Sequence, residues 1–164
     1  MVLIYETGGI LNEGFVGQIS YTVCLDKAYD AMDIEFTFDK QHYQTITEEM
    51  GKKIRESCSG MPEYEHASEE ELMDAMRGMK TEIHTIVTMN DTFIGGVHKQ
   101  LTTRHMVFSD DFTSDGCIPQ ERIFGVIKVT LAVFNVLLDG TNYRLKLSAG
   151  NQEKKISPDG GAYV

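Results

Sequence analysis

An α+β fold is predicted, an antiparallel β-sheet or sandwich with a two-helix insert after its first hairpin. Three features predict it. Residues 18–39 alternate apolar and polar side chains with a period of two, residues 45–79 change to helical spacing, and alternation resumes at residue 81. Sequential strands usually lie beside one another, so this order favours antiparallel pairing.

The first run places Ile19, Tyr21, Val23 and Leu25 on one face, and the second places Met32, Ile34, Phe36 and Phe38 there. The turn-rich link Asp26-Lys27-Ala28-Tyr29-Asp30 predicts that the two strands pair as a hairpin. The outer face of the second strand carries Asp33, Glu35 and Asp39 and must meet water or a cationic partner.

Two helices are expected next. Thr45-x-x-Glu48 fits a capping box, after which Met50, Ile54 and Cys58 recur every fourth residue, and Gly60 and Pro62 supply a stop. Ser68-x-x-Glu71 is a second box, with three glutamates at the positive end of the helix dipole. Leu72, Met73, Met76 and Met79 form the apolar stripe, and Gly78 weakens the end of the helix.

Strands return with Ile83, Thr85, Val87 and Met89, then a turn at Asn90-Asp91 and a return strand from Phe93. Gly95-Gly96 within it suggests a bulge or bend. A short run at 105–108 leads into an irregular segment, 109–120. Residues 122–138 are apolar almost all round, so periodicity does not separate a strand from a buried helix over 119–138 that starts at Pro119. Seven of the seventeen residues are Val, Ile or Thr, which favours a long bent strand, and Asp139-Gly140 predicts that it pairs with 142–148. Residues 1–150 read as one domain. Residues 151–164 read as a polar, flexible tail with room for a short strand at Lys155-Ile156.

At 164 residues, a single core burying about 70% of the extended chain's surface suffices without staples. The net charge is −10, and residues 1–79 carry all of it, with 16 Asp/Glu against 6 Lys/Arg. No basic stripe offsets this, so nucleic acid and anionic membranes are disfavoured as partners. Cys24, Cys58 and Cys117 are odd in number and far apart, which suggests neither disulfides nor a zinc site and places the chain in a reducing cytoplasm. The first eleven residues lack a basic leader region, and no stretch approaches the roughly 20 apolar residues of a membrane helix.

Chemical motifs are sparse. Asp111, Thr113, Asp115 and Gly116 match positions of an EF-hand loop, and Ile118 suits its hydrophobic position. Arg122 stands where the bidentate carboxylate belongs, Glu121 is one residue early, and Pro119 interrupts the loop, so a turn is the expectation. His42, His66, His84, His98 and His105 show no metal-ligand spacing. Cys24 and Cys58 read as packing residues, and the Gly pairs at 8–9, 95–96 and 160–161 lack the context of a phosphate loop. No catalytic, cofactor-binding or metal-ligating residue is therefore assigned. Methionine is the compositional oddity, because Met50, Met61, Met73, Met76 and Met79 gather around the two helices. Such a face either fills the gap to the sheet or offers an adaptable contact.

The first expectation for function is an interaction module without catalytic signature that self-associates as a homodimer through a sheet edge, favouring residues 81–148, or through the Met face. The second is a carrier with a pocket between sheet and helices for a small apolar ligand. The third is a metal-dependent hydrolase in which His98, His105 and acids from 110–115 converge.

Overall fold

Inward-facing apolar residues dictate how the strands stack. In the computed structural model, which describes residues 1–57, 60–62, 66–99 and 101–151, eight strands and two helices follow in the order β1 (Val2–Leu11), β2 (Gly17–Cys24), β3 (Ala31–Phe38), α1 (Glu48–Ser57), α2 (Glu69–Gly78), β4 (Glu82–Met89), β5 (Thr92–Val97), β6 (Thr103–Ser109), β7 (Val126–Asn135) and β8 (Thr141–Gly150). Met32, Ile34, Phe36 and Phe38 of β3 are buried, as are Ile127, Val129, Leu131 and Val133 of β7. These two rows belong to one apolar cluster between two antiparallel sheets, ordered β1-β8-β3-β6 and β2-β7-β4-β5. That order is the double Greek key of a jelly roll. The expected α+β class holds, as a sandwich with a two-helix insert between β3 and β4.

Two predicted pairings are overturned. β2 and β3 do not form a hairpin, because β2 pairs with β7 and β3 with β6 and β8, in the opposite sheet. The link between them bonds elsewhere: Leu25 N–H donates to Gly125 O, and Tyr29 and Ile123 exchange backbone bonds of 2.8 and 2.9 Å. Alternation reveals which face is buried and is silent on whether the neighbour lies beside the strand or across the core. Residues 126–135 do form a strand, so the helix over 119–138 is excluded, yet β7 does not pair with β8. Gly140, with φ +66°, turns the corner from one sheet to the other.

The β4–β5 hairpin is as expected. Asn90 and Asp91 adopt φ of 49° and 64°, the left-handed pair that a two-residue turn requires. The register shifts by one residue around Ile94, just before Gly95-Gly96. β1 was not anticipated, because Glu6 and Gly8-Gly9 break its apolar pattern. Glycine at position 9 has a specific cause: a Cβ there would sit 2.7 Å from the Tyr143 hydroxyl. That hydroxyl meets Tyr21 Oη at 2.6 Å and so ties the two sheets together.

Among the described residues, no helix is long and apolar enough to cross a membrane. The expected strand at Lys155-Ile156 and the tail lie outside the described residues, apart from Asn151.

Candidate functional site

The helical insert leaves and re-enters the sandwich at one point, where Thr81 N–H donates to Gln41 O at 2.8 Å. Thr47 starts α1, not Thr45: its hydroxyl accepts from Met50 N–H at 3.3 Å and its carbonyl from Gly51 N–H. The box at Thr45-x-x-Glu48 is thus displaced by two residues, since Glu48 is the first helical residue and cannot reach back as a third-position partner. Ser68 caps α2 as expected. Glu71 N–H donates to its hydroxyl, and its own N–H donates to the Glu71 carboxylate at 2.7 Å. The bond from the Ser68 backbone holds the Glu71 carboxyl below its usual range.

Between the two helices and the β1–β2 and β7–β8 connections lies a cavity of about 1060 Å³. Its walls include Met50 and Ile54 of α1, Leu72, Ala75 and Met76 of α2, Met61 and Met79 beside the helices, and residues 135–138 of the sandwich. Leu72 and Met76 are buried but belong to this wall and not to the apolar cluster between the sheets. Four of the five singled-out methionines line the cavity, and Met73 is not among its lining residues. Glu13, Tyr43, Lys53 and Glu56 supply the polar part. Burial, with Glu13 nearby, pushes the Tyr43 hydroxyl above its ordinary pKa and keeps it a neutral donor. At one end His42 Nδ1 lies 3.0 Å from Met79 O, which makes it the protonated ring nitrogen.

A second, shallow groove of about 730 Å³ lies by β1, β8 and the end of β3. Its charges are matched in place: Arg144 donates to Glu6, and Asn142 donates twice to Asp39. Further along this sheet Lys146 Nζ donates to Glu35 at 2.7 Å, while His105 contacts Asp33 at 3.0 Å and Glu35 at 3.7 Å. The Lys146 bond holds the Glu35 carboxyl below the usual carboxylate range. The acids predicted on the outer face of β3 thus meet partners within their own chain: Glu35 the Lys146 ammonium, Asp33 the His105 ring and Asp39 the Asn142 amides.

The remaining candidates do not converge. His105 stands on the outer face of the first sheet with Asp33 and Glu35. His98 lies 6.1 Å from the ring of His84, which packs on Phe134 of the second sheet. His66 is exposed within the insert, between α1 and α2. Among the described residues, no group of three or more His, Cys, Asp or Glu could hold a metal ion. In the 111–122 segment Asp115 accepts from Lys99 at 2.9 Å, and Gly116, with φ +82°, accepts from Gly96 N–H. The segment is a turn pinned to the edge of β5. Cys24 is exposed, and burial pushes the Cys117 thiol up to about 11, which leaves it a poor nucleophile at neutral pH. Cys58 and the pair at 160–161 lie outside the described residues.

Arg104 escaped the sequence reading. It is 3% exposed and its guanidinium stacks 4.9 Å from the ring centre of Phe36. Nε donates to Leu101 O at 3.1 Å, whereas Nη2 has no partner among the described residues. Burial lowers its pKa to about 10. The alternation Arg104, Met106, Phe108 was the available signal, since it puts all three side chains on the inward face.

Residues 1–155 match the model of the Family of unknown function (DUF6669), and the chain belongs to that family. No curated protein matches it.

Proposed function

We propose that this member of the family is a binding module whose ligand, a small and mainly apolar molecule, sits in the methionine-lined cavity under the helices. One observation carries the reading: a cavity of about 1060 Å³ with Met50, Met61, Met76 and Met79 in its walls. Ligand sites run to about 300–1,000 Å³ and combine apolar walls with a few polar groups. Thioether side chains adapt their shape at little cost, which suits a ligand that varies in outline. Tyr43, Lys53 and Glu56 would meet the polar end of such a ligand. The unpaired thiols Cys24 and Cys117 support action in a reducing compartment, the cytoplasm. The charge of −10 supports partners other than nucleic acid.

The test is fluorescence titration with the apolar probe anilinonaphthalene sulfonate. Saturable binding is expected, with a rise in melting temperature as the probe loads the folded state. Ala75→Trp, which fills the cavity from an exposed position of α2, should abolish it without lowering the melting temperature. Equal binding by wild type and Ala75→Trp would overturn the assignment.

A further inference from the structure

The two flanks of the sandwich are finished differently. On the β5–β6 flank the chain covers its own edges. Gly96 N–H donates to Gly116 O and Ile118 N–H to Ile94 O, while Ser114 N–H donates to Val107 O and Val107 N–H to the Ser114 hydroxyl. On the opposite flank β1 pairs only with β8, and β2 only with β7, among the described residues. Along its ten residues β1 therefore presents a backbone edge with no strand beside it among the described residues. It contains neither Pro nor Lys, two of the residues that usually blunt such edges, and its one irregularity is a register shift at Ile4.

The seam beneath that edge is also unfinished. Ile4, Tyr5, Ile19 and Tyr21 pack against the core but are only partly buried. Leu3 and Ile10 stand 50% and 67% exposed, and Val16 in the following turn 68%. Two sheet edges about 10 Å apart, ten and eight residues long at roughly 3.3 Å per residue, outline a strip roughly 30 Å long and 20 Å wide. That approaches the roughly 800 Å² per partner of a standard stable interface.

Charge selects the occupant. A chain of net charge −10 repels its own copy over most of its surface, but residues 1–25 hold just two acids, Glu6 and Glu13, and no Lys or Arg. Arg144 already neutralises Glu6. The covered flank, by contrast, carries Asp110, Asp111, Asp115 and Glu121.

We infer that the β1–β2 flank is the docking surface for a second copy of this chain, joined antiparallel through β1 about a two-fold axis. With Thr7 on the axis, Glu6 comes opposite the partner's Gly8, so the single acid of the strand meets no like charge. The edge belongs to residues 1–24, because the edges within 81–148, the segment expected to pair, are covered. This reading does not depend on the cavity having a ligand.

Light scattering coupled to size exclusion tests it on the whole protein. Wild type should run at twice the mass of one chain, and the Leu3→Lys/Ile10→Lys double variant at the mass of one. Both substituted side chains are exposed, so the variant should keep the wild-type circular dichroism spectrum. Phe93→Lys, on the covered flank, should remain dimeric. A wild-type monomer over the whole accessible concentration range overturns the inference, as does a double variant that stays dimeric.

Discussion

Glu35 shows how much one side chain tells of the fold's electrostatics. It sits on β3 between Lys146 of β8 and His105 of β6, and its carboxyl titrates below the ordinary value of 4.5 chiefly through the Lys146 bond. A carboxyl lowered in the folded state stabilises the protein above the unfolded value, and that contribution is lost as pH falls through the folded one. Both side chains are more than a quarter exposed, so the pair is worth on the order of 0.5 kcal/mol. Glu35→Gln should therefore melt slightly below wild type at neutral pH. The gap should close as the pH drops beneath 4.5 in a series of thermal melts. A gap that persists unchanged into acid would assign the effect to packing and not to charge. Arg104 makes the opposite point. A cation in the core needs acceptors, and this one has two backbone carbonyls and an aromatic face in place of a carboxylate. Sequence pattern exposes its inward position but not its partners: the carbonyls come from the nearby β5–β6 turn, and the aromatic face comes from β3, which no local spacing relates to it.

At the level of elements, faces were legible and neighbours were not, except in the β4–β5 hairpin. Every strand after β1 was readable from alternation, or from β-branched content in β7, and Ser68 announced α2 through chemistry confined to four residues. Pairing was misread at 26–30 and 139–140, because a turn signal specifies a change of direction and a sandwich offers two places to go. The cavity was only half legible: the methionine cluster was visible, but the wall from residues 135–138 depends on β7 ending beneath the helices. The insert itself behaves as an attachment. Its buried residues Leu72 and Met76 stand apart from the inter-sheet cluster, and Gln41 and Thr81 are already bonded to each other. Replacing residues 42–80 with a short glycine-containing turn should leave the β-sheet circular dichroism signal and a cooperative melt in place. It should remove the helical signal and all binding of the apolar probe. Loss of the cooperative transition would show instead that the helices complete the core.

For the whole molecule, net charge is the property that sequence states most directly and that folding modifies least. The excess of ten negative charges is distributed over a body held together by contact ion pairs such as Lys146–Glu35 and Lys99–Asp115. Those pairs act over about 3 Å, whereas the repulsion among the surplus acids of the first 79 residues acts over longer distances. The Debye length is about 8 Å at physiological ionic strength and about 3 Å at 1 M, so added salt removes the long-range repulsion before it weakens the contacts. The melting temperature should therefore rise with sodium chloride up to moderate concentration. Self-association would raise it too, because a dimer of like-charged chains also tightens with salt. The Leu3→Lys/Ile10→Lys variant separates the two contributions. If it is monomeric, its rise reports screening within one chain, and the additional rise in wild type, growing with protein concentration, reports the interface. A variant whose melting temperature falls steadily with salt would mean that the contact pairs outweigh the repulsion and that the acidic surplus does not strain the fold.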